Sequence, residues 1–255
     1  MNTEDICLLL YTHSEFEDLW KINFDYIDKS FPFLKRYVAI DNKNSIINKK
    51  DEFKIDKIIQ YNDGNTYAEK MITILNEIDT AYVFFTHDNN IIYKNDHTIF
   101  FNLFNKLKEI NGDRLVFELE QSLHKSPIIK VDGENAGLQL TTDYYYYFNV
   151  QTGIWKTSSY LDIFKTFPQS TYRTIEDSNI QEYVRSKYKV YRLATMGPIF
   201  KSVGFIFPTY FHFLHITMRR QWVSFHIFQD LQEDWKNLFK EYKLDSNKRG
   251  WRTKY

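Results

Sequence analysis

Short apolar runs of strand length alternate with amphipathic helical patterns through the first 110 residues. Ile6-Cys7-Leu8-Leu9-Leu10-Tyr11 is continuously apolar, as in a strand buried on both faces. From Ser14 to Ile27, the residues Phe16, Leu19, Trp20, Phe24 and Ile27 recur at helical spacing, and Ser14 with Glu17 suits a capping pair. Tyr37 to Asp41 and Ile55 to Tyr61 read as the second and third strands, the latter closed by the turn cluster Asn62-Asp63-Gly64-Asn65. Tyr67 to Ile78 reads as a second helix, Ala81 to Phe85 as a fourth strand that breaks at Thr86 to Asn90, and Thr98 to Ile110 as a third helix. Such alternation across short polar loops implies βαβ units and a mostly parallel sheet. Right-handed crossovers then gather four loops along one sheet edge: Thr12-His13, Asp41-Asn42, Asn62-Asp63-Gly64 and His87-Asp88-Asn89. The fold class expected is α/β, a mixed and mostly parallel sheet flanked by helices.

After residue 110 the rhythm changes. Leu115 to Leu119, Ile128 to Val131 and Tyr144 to Val150 read as strands without long helices between them. Ser158 to Phe167 and Glu176 to Lys187 read as helices, Val190 to Leu193 as a strand and Asp230 to Tyr242 as a late amphipathic helix. Trp251 to Tyr255 reads as a mobile tail. Gly (8) and Pro (5) are few and scattered, so nothing marks a linker. The expected organisation is one domain over residues 1–255, with a nucleotide-type half at 1–110 and an acceptor-type half at 111–255.

Composition removes several functions. Lys and Arg (33) balance Asp and Glu (33), so no net field holds nucleic acid or an anionic membrane. The single Cys7 excludes an internal disulfide and a cysteine-cluster zinc site. No basic n-region precedes the first apolar run, and Ser202 to Ile216 is too short and too interrupted to span a bilayer. A soluble cytoplasmic protein is the expectation. GxGxxG after the first strand, GxxxxGK[ST], HExxH and GxSxG are all absent, which disfavours dinucleotide oxidoreductases, P-loop NTPases, zincins and α/β-hydrolases.

The remaining candidates each have a plainer reading. Asp88, directly after a buried strand, suits a divalent cation on a diphosphate, because hard cations take oxygen ligands; an Asx turn accounts for it too. Asp41 suits a nucleoside contact at the end of the second strand, or turn chemistry. Glu176 and Asp177 suit a catalytic base, or simply an acidic first helical turn. His212 and His215 suit a metal, or packing in an aromatic stretch. Arg219-Arg220 suits a phosphate, or a solvated face.

Taken together, these elements resemble a GT-A fold glycosyltransferase of a viral and bacterial group with a reduced Asp-x-Asp element. Ile58 to Lys70, followed by Tyr82-Val83-Phe84-Phe85-Thr86-His87-Asp88, resembles that group's loop, helix and acid-ended strand. Gln151-Thr152-Gly153-Ile154-Trp155-Lys156 with Tyr160-Leu161 resembles its Q-x-G-I-W-K…Y-L segment, and Thr174-Ile175-Glu176-Asp177 its xED element. The resemblance implies a GT-A-like (Rossmann-like) fold and transfer of a sugar from a nucleotide-sugar donor to a glycan or glycoconjugate acceptor, with inversion. It implies Mn²⁺ or Mg²⁺ held by Asp88 and a late histidine, with His215 favoured and His212 and His226 as open alternatives. It implies donor contacts from Thr12, Asp41, Asn62, Asp63, Asp88 and Arg219, and a base at Asp177, with Glu176 as the alternative. The sequence departs from the group in having one carboxylate, in His87-Asp88-Asn89, where two or three are usual. Two rival readings stand beside this one. A nucleotidyltransferase shares the sheet but wants a Gly- and Lys/Arg-rich first loop, which Thr12-His13-Ser14 is not. A catalytically degenerate binding module matches the single carboxylate.

Overall fold

The computed structural model describes residues 3–117, 119, 127–132, 136–141, 147–195, 199–202, 205–218 and 220–253. In chain order the elements are β1 (Ile6–Tyr11), α1 (Glu17–Ser30), β2 (Lys35–Ile40), β3 (Lys57–Gln60), α2 (Tyr67–Asn76), β4 (Tyr82–His87), β5 (Asn90–Asn95), α3 (His97–Glu109), β6 (Arg114–Val116), β7 (Ile128–Asp132), β8 (Ala136–Leu140), β9 (Gly153–Lys156), α4 (Thr157–Thr166), α5 (Ser178–Lys187) and β10 (Val190–Ala194). There follow β11 (Ile199–Ser202), β12 (Phe205–Pro208), β13 (Phe211–His215), β14 (Thr217–Met218), β15 (Gln221–Val223), α6 (Gln232–Glu241), α7 (Ser246–Arg249) and β16 (Trp251–Arg252).

Among the described residues the central sheet has nine strands in the order β3-β2-β1-β4-β9-β6-β10-β8-β7. β1 to β4 are parallel neighbours, β9 runs antiparallel between β4 and β6, and β6 is parallel to β10. The expected mixed, mostly parallel sheet flanked by helices is therefore present. The chain winds outward from β1 to β2 to β3, then returns to lay β4 on the other side of β1. That reversal is a topological switch point, the place where open α/β sheets hold ligands.

Alternation along each strand splits the core between the two sheet faces. Ile6, Leu8 and Leu10 pack with Trp20 and Phe24 of α1 and Phe100 and Phe104 of α3. Cys7 and Leu9 pack on the other face with Met71 and Leu75 of α2, Tyr160 of α4 and Val184 of α5. The outer side of α1, through Leu19 and Ile22, carries a third cluster built from Leu214, Trp222 and Trp235. No helix among the described residues is long and apolar enough to cross a membrane.

Several local expectations need correction. Ser14 does not cap α1; the Asp41 carboxylate takes its amide and hydroxyl, both at 2.7 Å, and residues 14–16 form a 3-10 turn instead. Residues 147–150, the described part of an expected strand, form a bent loop. Its polar backbone goes to side chains: Arg114 donates to the Tyr147 and Asn149 carbonyls, and Gln181 bonds both the amide and the carbonyl of Phe148. A side-chain partner satisfies these groups as fully as a ladder does. Residues 144–146 lie outside the described residues. Trp251 is no loose end: β16 pairs with β15, and the Trp251 ring lies 4.9 Å from Phe225 and 5.1 Å from Phe239. The chain after Asn89 also returns at once as β5, which pairs with β13 in a register that sets His215 opposite Asn90.

Candidate functional site

Parallel pairing of β1 with β2 and β4, and of β2 with β3, puts all four singled-out loops on one edge, as expected from the alternation. Thr12 ties the edge together. Its amide donates to the Ala39 carbonyl at 2.9 Å, and its carbonyl accepts the Tyr61 hydroxyl at 2.7 Å. Its hydroxyl accepts from the Trp20 indole at 2.9 Å and donates to Asp88 Oδ2 at 2.6 Å. Thr12 and Asp88 thus meet across the switch point, one at the end of β1 and the other just past β4.

Asp88 is 7% exposed. Burial pushes its carboxyl up to about 6, against hydrogen bonds from the Thr12 hydroxyl and the His13 amide that favour the charged form. Asn23 fixes the loop from behind by donating to the Asp88 carbonyl at 2.5 Å. Asp88 lines a cleft of ≈ 190 Å³ with Tyr11, Thr12, His87, Asn89, Tyr172 and Arg220 among its walls. Small-molecule sites typically span ~300–1,000 Å³, so this cleft takes a phosphate group or one sugar ring, with the rest of a larger ligand outside it.

The edge over β2 and β3 is a charged clasp. His13 Nε2 lies 3.4 Å from both Asp41 Oδ2 and Asp63 Oδ2. Lys70 holds Asp63 at 2.6 Å and thereby lowers its carboxyl. Asn62 turns its side-chain oxygen onto the Gly64 amide at 3.0 Å, an Asx turn. Asp41 and Asp63 thus hold three loops together through His13, with Lys70 bracing Asp63 and Asn62 closing its own turn. Arg219 lies outside the described residues, but its neighbour Arg220 reaches the cleft, paired at 3.1 Å with the exposed Glu15.

His215 stands behind the cleft wall. Its Nδ1 pairs with Asn90 Oδ1 at 2.7 Å, and its Nε2 faces Asn89 Nδ2 at 3.4 Å. Burial holds this imidazole down at about 4. Asn89 Nδ2 also reaches the Thr217 carbonyl at 3.3 Å, while Asn89 Oδ1 is buried without a hydrogen-bond partner. An orphaned hard oxygen beside a buried carboxylate fits Mg²⁺ or Mn²⁺, which bind through one or two protein oxygens plus substrate phosphates. Among the described residues, no three His, Cys, Asp or Glu side chains converge as a metal cluster.

The two acids of residues 176 and 177 part company. Glu176 accepts from the Val150 amide at 2.9 Å. Tyr172 lines the cleft with Asp88, and burial, then the charges of Glu176 and Asp88, push its phenol up to about 12. Tyr172 is 52% exposed, with its ring edge-on to Tyr67 at 5.2 Å. Asp177 precedes α5 without a side-chain cap and lines another cleft, of ≈ 380 Å³, with Phe167, Thr174 and Ile180. Tyr172 carries no sequence signal: it is one tyrosine in a polar loop, and only the fold carries it to Asp88.

No protein-family model matches this sequence, and no curated protein does either. Solved structures with similar chain courses include the bifunctional IspDF of Campylobacter jejuni, at 16% identity and TM-score 0.43, over 74% of this chain and 49% of that one. S. aureus TarS 1–349 is similar at 12% identity and TM-score 0.48, over 80% of this chain and 60% of that one. A CMP:2-keto-3-deoxy-manno-octonic acid synthetase complexed with CTP is similar at 7% identity and TM-score 0.46, over 74% of this chain and 88% of that one. This chain spans about half of IspDF and less than two thirds of TarS 1–349. Likeness at this level carries no residue's role across.

Proposed function

We propose that this chain is a GT-A-like glycosyltransferase, which moves a sugar from a nucleotide-sugar donor to a hydroxyl of a glycan or glycoconjugate. The observation that carries the reading is the hydrogen bond between Thr12 and Asp88 across the β1–β4 switch point, in a cleft that Arg220 also lines. The donor's diphosphate would sit there, its negative charge facing Arg220. Its nucleoside would extend over the clasp of His13, Asp41 and Asp63.

A divalent cation would be held by Asp88 and Asn89, and would supply charge neutralisation for the departing nucleotide. His215 would keep the Asn89 amide turned so that its oxygen stays available. Glu176 is the better-supported base, because its charge acts on the same tyrosine as that of Asp88 whereas Asp177 lines a separate cleft. In the transfer, the acceptor O–H gives its proton to Glu176 and its oxygen bonds to the anomeric carbon. The bond from that carbon to the diphosphate breaks on the opposite side, and the nucleotide leaves with the electron pair. The sugar therefore inverts.

Release of nucleoside diphosphate from nucleotide sugars, with and without added acceptor glycans, tests the reading. Glu176→Gln is expected to lower turnover ~10²–10⁴-fold, the usual worth of a general base, and Asp177→Asn to leave it near wild type. The reverse pattern moves the base to Asp177. Release of pyrophosphate from nucleoside triphosphates, with no action on nucleotide sugars, makes the chain a nucleotidyltransferase. Binding of nucleotide sugars without any turnover makes it a binding module.

A further inference from the structure

We propose that His87 and Tyr172 form the recognition site for the donor's sugar ring, with His87 Nε2 accepting a hydrogen bond from a ring hydroxyl. The inference rests on the nucleotide-sugar reading above and goes beyond it by assigning the sugar contacts. His87 ends β4 one residue before Asp88 and lines the same cleft. It is 8% exposed, and its Nε2 is buried with no hydrogen-bond partner. The Val150 carbonyl favours a proton on the ring, and with that proton on Nδ1 the Nε2 carries a lone pair and no partner. A buried acceptor is rarely left unmatched, so this one calls for a donor supplied by a ligand.

The surroundings narrow the ligand's chemistry. Tyr11, Phe85 and Tyr172 enclose the imidazole with ring centroids 5.3, 4.9 and 6.1 Å away, each edge-on. Those rings offer apolar surface and no charge, which suits the C–H face of a sugar better than a phosphate. Tyr172 is the exposed member, so it presents the open platform while His87 supplies the polar anchor. The arrangement is also rigid. Val150 acts on His87 through its carbonyl and gives its amide to Glu176, and Arg114 braces the preceding loop at Tyr147 and Asn149. One loop therefore sets the distance between the sugar site and Glu176.

The test is calorimetric. UDP-glucose, UDP-N-acetylglucosamine and GDP-mannose are titrated into the full chain with Mn²⁺, each beside UDP or GDP alone. Wild type is expected to bind at least one nucleotide sugar more tightly than its parent nucleotide. His87→Phe keeps a ring in the aromatic cage and removes the acceptor, so that advantage should fall about tenfold with nucleotide affinity unchanged. Tyr172→Ala, at a half-exposed position and checked for an intact thermal transition, should reduce the same advantage, and His87→Gln should keep most of it. Equal losses for nucleotide and nucleotide sugar in His87→Phe overturn the proposal and move His87 to the diphosphate. A sugar advantage untouched in both His87→Phe and Tyr172→Ala overturns it while leaving the nucleotide-sugar reading intact. Absence of any nucleotide or nucleotide-sugar binding to wild type removes both.

Discussion

Asp88 is held in a state that costs stability. Its carboxyl titrates near 6 in the folded chain against an ordinary 3.8, because burial disfavours the charge. The native state therefore holds a proton that the unfolded chain has released, and this group's stabilising contribution is complete below about 4 and lost as pH rises through 6. Asp88→Asn cannot ionise. It is expected to melt higher than wild type at pH 8, by on the order of 3 kcal/mol of stability, with the gap closing toward pH 4. Equal gaps at both pH values contradict the assignment. His87 and His215 act in the opposite sense. Burial holds both down at about 4, so their contribution is present above 6.5 and lost as pH falls through 4. Comparison with the Asn variant at each pH separates Asp88 from them. Asp88 was legible in the sequence, since an acid directly after an apolar run marks the end of a buried strand. Tyr172 and the orphaned Asn89 oxygen were not, because each depends on a contact with residues far along the chain.

Elements were legible where local pattern decides them. α2 begins where its pattern does, because Thr66 and Glu69 form a reciprocal capping box there. Thr66 also donates to the Pro168 carbonyl at 2.9 Å and so anchors α2 to the loop before Tyr172. Thr66→Ala is expected to cost about 0.5–2 kcal/mol, read as a lower denaturant midpoint with an unchanged slope. α1 shows the converse, since a long-range bond from Ser14 to Asp41 overrides a local capping pattern. β9 was hidden for a different reason: only four residues long, it is read from its neighbours β4 and β6. Its Gly153 is forced by close approach. A Cβ there would stand 2.7 Å from the Leu115 carbonyl oxygen. Gly153→Ala should cost about 1–3 kcal/mol through overpacking, and a neutral effect would contradict this packing.

At the scale of the whole molecule, alternation in the first half foretold the sheet edge that carries Thr12, Asp41, Asp63 and Asp88. The second half was less legible because its short strands take their places from partners rather than from their own pattern. β9 covers the free edge of β4, and β13 covers β5. We therefore expect a fragment of residues 1–110 to lack cooperative unfolding, since it would expose both edges. A sharp thermal transition in that fragment would show the halves to be separable. The central claim, that the β1–β4 switch point is a nucleotide site organised by Asp88, has one most direct test. Titration calorimetry of nucleoside diphosphates with Mn²⁺, on wild type and on Asp88→Ala of intact fold, should show binding that the substitution abolishes. Equal affinity in the two proteins, or no binding to wild type, would contradict it.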